Sequence, residues 1–191
     1  QADVMRFILE NEQLAREYAK MRRYYKADHD AIVKAKQKPN NKPDNRLVLN
    51  YPKKLVDTFT GFAVGKPVQM TLPEELGNEA LSKFNVSRKM DSVIARVWKE
   101  SCIYGRAYFY VYSHDSEIYV TDALPLDTFV IYDNTVAHKP LYAVRYGHIG
   151  ASASYKLTVF SESYQWESDT SRNTSGFGSR VVNPFGMIPI I

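Results

Sequence analysis

The chain has 191 residues, enough for one domain with a substantial core or for two small lobes. Its composition, 45% hydrophobic and 24% charged, is ordinary for a folded protein, and no apolar run approaches the length of a membrane span. The single cysteine excludes an internal disulfide and a cysteine-based zinc site. Residues 16–54 contain 12 Lys and Arg against 4 Asp and Glu, a net charge of +8, whereas the rest of the chain has a net charge of −4.

Residues 3–27 predict a long amphipathic helix, because apolar residues recur on one stripe at spacings near three and four. The stripe consists of Phe7, Leu14, Tyr18, Met21 and Tyr25. Basic residues lie mainly off this stripe, on a face that either meets nucleic acid or an acidic partner or is simply solvated. A short second helix is predicted over residues 29–36, and a polar loop rich in Pro and Asn follows over 37–45.

Residues 46–67 predict a helix with signals at both ends. Asn50 can accept a hydrogen bond from the first free backbone N–H groups, and Pro52 falls in the first turn. The apolar residues at helical spacing, which predict a buried face, are Leu55, Phe59, Phe62 and Ala63. Gly65 is expected to end the helix in a left-handed conformation, and Pro67 prevents its continuation.

The same stretch contains a partial match to a phosphate-binding loop. That motif requires four residues between its glycines, then Lys and a hydroxyl residue, between a strand and a helix. Here three residues separate Gly61 from Gly65, and Pro67 follows Lys66. The predicted order is also reversed, because alternating apolar and polar residues at 68–72 predict a strand after the helix. No nucleotide cofactor is predicted.

Two further helices are predicted over residues 73–84 and 88–104, and from Gly105 the apolar period changes from helical to alternating. The predicted strands cover residues 107–112, 118–120, 129–132, 141–148, 155–161 and 165–167, with a loop at 168–180 and the beginning of a strand at 186–191. Several antiparallel strands that follow a helical N-terminal half indicate an α+β fold. Its parts are a helical segment, 1–104, with one short strand at 68–72, and an antiparallel β-rich segment, 105–191.

No residues are predicted to be catalytic, to bind a cofactor or to ligate a metal. The four histidines lie far apart in sequence, and no serine has the glycine spacing of a nucleophile elbow. Cys102 has no neighbouring histidine to stabilise a thiolate, so it is interpreted as a small core or surface residue. The aromatic run at 107–112 could stack nucleic-acid bases, but of the adjacent residues only Arg106 is cationic. The chain is therefore predicted not to be an enzyme.

An ordered set of short motifs resembles a known family. They are Tyr24-Tyr25, His29 to Ile32, Asn50 to Lys53, Leu55 to Asp57, Gly61-Phe62, Gly65 to Val68, Gly105 to Tyr108, Phe129 to Asp133, Ala143 to Tyr146 and Asn183 to Ile190. In this order, from about residue 18 to 191, they resemble the portal, or head–tail connector, proteins of long-tailed bacteriophages. The family-signature residues, which the resemblance gives a structural role, are Asn50, Lys53, Asp57, Gly65, Lys66, Pro67 and Gly105.

The resemblance implies a structural subunit without cofactors that forms a ring, usually a dodecamer, at one vertex of the capsid. Double-stranded DNA enters and leaves through the ring, which docks the terminase, the capsid and head–tail adaptor proteins. The implied location is the virion, and the host cytoplasm during assembly, with no membrane contact. The matching part is the wing of the subunit, one domain of a longer, truncated chain, so this segment is expected to bind DNA weakly or not at all.

Ring contacts need two different complementary surfaces. The basic segment 16–54 and the acidic remainder of the chain offer such a pair. Arg22, Arg23 and Lys26 are the basic residues expected at this interface, so reversing the charge of the two arginines should weaken assembly. The alternative function is a stand-alone nucleic-acid-binding module that uses residues 16–54, which would bind DNA with a steep salt dependence.

Overall fold

The computed structural model describes residues 2–36, 38–39, 42–43, 45–73, 77–148, 155–169, 178 and 180–191. The described helices are α1 (Ala2–Tyr25), α2 (Asp30–Val33), α3 (Tyr51–Val64), α4 (Asn78–Ser87) and α5 (Met90–Tyr104). The described strands are β1 (Tyr108–His114), β2 (Glu117–Ala123), β3 (Thr128–Tyr132), β4 (Pro140–His148), β5 (Tyr155–Phe160), β6 (Tyr164–Asp169) and β7 (Arg180–Val182). Helices therefore precede antiparallel strands, which confirms the predicted α+β class.

The strands form two antiparallel sheets. Strands β3 to β7 make a five-stranded sheet in sequence order, and β1 and β2 make a hairpin. The hairpin turns at Asp115 and Ser116, whose φ values of 48° and 63° fit a tight two-residue turn. Most of the predicted loop at 168–180 lies outside the described residues.

The last residues of the chain extend the hairpin on its other side. The backbone N–H of Phe109 donates to the carbonyl of Ile191 at 2.8 Å, and Ile191 donates back at 3.0 Å. Val111 donates to the carbonyl of Pro189 at 2.8 Å. The prediction of a strand beginning near the chain end is confirmed to this extent, since the segment pairs with β1 in strand fashion.

Helix α1 packs against both halves of the molecule. Near its start, Ile8 is fully buried against Val144 and Leu157 of the five-stranded sheet. Near its end, Tyr18 packs with Ile103 and Tyr104 of α5, the Tyr18 and Tyr104 rings meeting edge to face at 5.8 Å. One helix thus shares in two hydrophobic clusters, one in each half.

The packed face of α1 is rotated by about one residue from the predicted stripe. Leu14 and Met21 are 50% and 43% exposed, whereas the polar Asn11 is buried. The Asn11 amide donates to the carbonyl of Pro125 at 3.3 Å and to the hydroxyl of Tyr146 at 3.0 Å. Because these acceptors pair its amide nitrogen, Asn11 can replace an apolar residue on the buried face.

Two predictions about α3 are wrong. Leu55, Phe59 and Phe62 are 57%, 61% and 91% exposed, so the apolar face of the helix is not buried, and no residue of α3 reaches full burial. Gly65 lies in the right-handed region, with φ −69° and ψ −14°. A Cβ at Gly65 would overlap the carbonyl oxygen of Gly61, so the position requires glycine for space and not for a positive φ.

The strand predicted at 68–72 is not formed, and these residues belong to no helix or strand. Val68, Met70 and Leu72 are all exposed, and no described strand lies beside them to complete a ladder. The amide side chain of Asn78 exchanges hydrogen bonds with the backbone of Leu72, at 2.7 and 3.4 Å, in place of a strand partner. Alternating side chains alone cannot make a strand, because each strand requires a neighbour to accept and donate its hydrogen bonds.

Alanine at Gly61 and at Gly65 is expected to change stability in opposite directions. At Gly61 a Cβ meets no atom within 4 Å, so Gly61→Ala should raise the free energy of unfolding by roughly 0.5–1 kcal/mol. At Gly65 the backbone must move to admit a Cβ, so Gly65→Ala should lower that free energy by roughly 1–3 kcal/mol. Urea unfolding followed by circular dichroism measures both changes. A more stable Gly65→Ala variant would contradict the close approach at the end of α3.

Candidate functional site

The signature residues at the start of α3 meet the end of α1. Asn50 caps α3, because its side-chain oxygen accepts a hydrogen bond from the backbone N–H of Lys53 at 3.0 Å. Its amide nitrogen donates to the backbone carbonyl of Tyr25, the last residue of α1, at 2.9 Å. One side chain therefore both begins α3 and joins it to the end of α1.

Asp57, two turns further along α3, is the centre of a small charged cluster. Its carboxylate accepts a hydrogen bond from the Tyr25 hydroxyl at 2.9 Å and forms an ion pair with Lys53. The Lys99 ammonium, from α5, lies 3.9 Å from the same carboxylate. Both ammonium groups also face the Tyr25 ring, at 5.6 and 5.2 Å from its centroid. The cluster thus connects α1, α3 and α5.

Electrostatics within the cluster favour its charged form. The hydrogen bond from Lys53 lowers the pKa of the Asp57 carboxyl, with smaller contributions from Tyr25 and Lys99. The same bond raises the pKa of Lys53. Because Asp57 remains partly exposed to solvent, these interactions position the helices more than they add to stability.

Arg22, predicted at a basic interface, is bound within the chain. Its guanidinium donates to both carboxylate oxygens of Glu100 on α5, at 2.8 and 2.6 Å. The pair is largely shielded, since the Glu100 side chain is 13% exposed, and the hydrogen bond raises the pKa of Arg22. The guanidinium also lies 6.0 Å from the ring centroids of Tyr25 and Tyr104. This pair is a second tie between α1 and α5.

Arg23 and Lys26 differ in their surroundings. Arg23 forms ion pairs with Asp28, at 2.6 Å, and with Asp30, both in the segment that follows α1. Its hydrogen bonds lower the pKa of Asp30 to about 2. Lys26 is exposed to solvent. A role for these residues in subunit contacts stays a prediction, although the charges of Arg22 and Arg23 are already balanced within the chain.

The remaining signature residues lie elsewhere. Gly65, Lys66 and Pro67 end α3, and a shallow cavity of about 200 Å³ lies between them and the side chains of Asp91 and Ile94 on α5. This end lies about 20 Å from Asn50, given the rise of a 14-residue helix. Gly105 ends α5 in the left-handed region at φ 78°, with its N–H bonded to the Ser101 carbonyl at 2.8 Å.

A ladder of stacked rings covers one face of the hairpin. Tyr112 stacks on Tyr110 and on Tyr119, with centroids 5.4 and 5.3 Å apart. Arg88 lies 4.1 Å from the Tyr119 ring and Arg145 lies 5.2 Å from the Tyr110 ring. These two arginines could not be predicted beside the ladder, because they come from segments distant in sequence. Because the ring faces contact each other and the guanidiniums, they do not form an open platform for bases.

The side chains of these clusters hold helices and strands together. Within the described residues, no group of three or more His, Cys, Asp or Glu is placed to hold a metal ion. Burial raises the pKa of the Cys102 thiol, whereas a nucleophilic cysteine needs a lowered one. None of the described helices is long and apolar enough to cross a membrane.

Fold and site together define an α+β protein whose helices are joined by ion pairs and a capped helix start. The family model described as "phage portal protein, SPP1 Gp6-like" matches residues 6–191. The chain therefore belongs to the phage portal protein family, whose members are structural head–tail connector proteins at the capsid vertex. No curated protein matches the chain.

Replacing Asn50 tests the joint between α1 and α3. Asn50→Ala removes the helix cap and the hydrogen bond to Tyr25, so the free energy of unfolding should fall by roughly 2 kcal/mol. Asn50→Asp keeps the capping oxygen and loses the donor, so its loss should be about half as large. Urea unfolding measures both, with Asn134→Ala in an exposed turn as the control. Equal losses from both Asn50 variants would contradict the double role.

Acid should remove the contribution of Asp57. The pKa of its carboxyl is lowered in the folded protein, so the stabilisation is fully present above the ordinary carboxyl pKa of about 3.9 and disappears as the pH falls through the lowered value. The free energy of unfolding of wild type should therefore exceed that of Asp57→Asn by a constant amount from neutral pH to about pH 4 and by less below it. Urea unfolding at a series of pH values measures the difference. A difference that does not change in acid would refute this assignment.

Proposed function

We propose that this chain is a subunit of a phage portal ring, the channel at the capsid vertex through which DNA is packaged and ejected. The observation that carries the proposal is the family match over residues 6–191. In this role the ring is a dodecamer of long-tailed phage type, assembles in the host cytoplasm, and docks the terminase, the capsid and head–tail adaptors. The DNA that passes through it is double-stranded.

We also propose that residues 1–104 and 105–191 form one wing-like domain of a longer chain. The packing of α1 supports this, because Ile8 contacts the five-stranded sheet and Tyr18 contacts α5. A further support is the buried Asn11, which binds the carbonyl of Pro125 between β2 and β3. Two halves that share a helix in this way are expected to move together.

The proposed role is mechanical, and this part of the chain is expected to bind DNA weakly. The basic segment 16–54 is partly neutralised from within, since Arg22, Arg23 and Lys53 all have carboxylate partners in the same chain. Cations that are already paired release fewer counterions from DNA, so they add less to binding. The alternative, a stand-alone nucleic-acid-binding module, has no specific observation in its favour.

Electron microscopy of the full-length protein tests the proposed function. Closed rings with a central hole are the expected result, because head-to-tail contacts between identical subunits close when the rotation permits. Mass photometry of the same sample should give one dominant high-mass species. Particles that remain monomeric at high protein concentration would refute the proposal.

A further inference from the structure

The apolar face of α3, defined by Leu55, Phe59 and Phe62, is largely exposed to solvent. Its members are spaced i, i+4 and i+7, the pattern of helix anchors that insert into or receive a partner surface. Phe62 is 91% exposed, and an exposed cluster of large apolar side chains costs solubility unless something covers it. The face therefore has the properties of an interface.

Beside this face lies an apolar groove between α1, α3 and α5. Met21 and Tyr24 contribute from α1, Leu55 and Phe59 from α3, and Cys102 from α5. The groove has a volume of about 490 Å³, which is room for several side chains. Cys102 is exposed, so its thiol can be reached from the groove.

A second apolar surface lies in the β half, around the turn between β3 and β4. Val136, within this turn, is fully exposed, and Leu141 and Tyr142 at the start of β4 are 46% and 43% exposed. The turn is well held: the Asp133 carboxylate accepts from the backbone N–H of Thr135 at 3.2 Å and of Lys139 at 3.0 Å. The turn therefore places an exposed apolar side chain on an ordered loop. Such a loop can dock with little loss of conformational entropy.

We propose that the groove between α1, α3 and α5 receives the Val136 turn of the neighbouring copy of this chain. The inference rests on the proposed function, because a ring subunit meets its two neighbours through two different surfaces. Charge favours the same pairing: residues 1–104 hold 19 Lys and Arg against 13 Asp and Glu, and residues 105–191 hold 6 against 8. A helical half of net charge +6 therefore faces a β half of net charge −2.

Cys102, the one cysteine among these 191 residues, provides the test. In the full-length protein, Val136→Cys should form a disulfide with Cys102 of the next copy when a diamide oxidant accepts the two electrons. Disulfides form between Cα atoms about 4.4–6.8 Å apart, so the bond reports direct contact. The expected result is a ladder of covalent multimers on a non-reducing gel, which dithiothreitol abolishes.

Two controls make the result specific. Val136→Cys combined with Cys102→Ser should give no ladder. Val86→Cys should give none either, because Val86, although 76% exposed, lies on α4 and outside the proposed contact. Wild-type rings by electron microscopy without a ladder from Val136→Cys would overturn the inference while leaving the proposed function intact. Absence of wild-type rings would overturn the proposed function and the inference with it.

Introducing a charged side chain into the groove tests the contact independently, with ring formation as the readout. Phe59 is 61% exposed, so Phe59→Asp should fold with little change in melting temperature yet lose the rings that wild type forms. Val86→Asp, on an exposed position of α4, should retain them. Circular dichroism confirms folding before microscopy. Normal rings from folded Phe59→Asp would contradict the proposed contact.

Discussion

The packing of α1 at both of its ends is the constraint on which the arrangement of this molecule depends. Its first half lies on the five-stranded sheet through Ile8, and its last turns contact α3 and α5 through Tyr18 and Tyr25. The connections are of different kinds, apolar burial at one end and ion pairs with aromatic contacts at the other. Hydrophobic contact supplies most of the stabilisation, and the polar contacts select one orientation of the helices.

The signature residues acquire a physical meaning in this arrangement. Asn50 and Asp57 both bind Tyr25, so a sequence pattern within α3 is explained by a residue of α1. Gly65 is needed because the Gly61 carbonyl leaves no space for a side chain, and Gly105 because its backbone is left-handed. Through these contacts, the four positions shape the helical half.

Much of the fold could be predicted from local patterns, whereas contacts between distant segments could not. The alternation of residues in β4 and β5 and the apolar period of α5 required no knowledge of the partner. The prediction that the apolar face of α3 is buried within this chain is wrong. An amphipathic pattern indicates an apolar face but does not identify the surface that packs against it. The absent strand at 68–72 has the same cause. Arg22 and Glu100 are 78 positions apart, and sequence alone gives no reason to pair them.

Asn11 has a consequence for the mechanics of the molecule. Its amide fits two acceptors at fixed positions, so α1 cannot turn about its own axis without breaking both hydrogen bonds. Tyr25 prevents the same rotation at the other end, about 20 Å away along the helix. Because both ends are held, α1 resists rotation about its own axis. A rotation of the helical half is therefore transmitted through α1 to the five-stranded sheet.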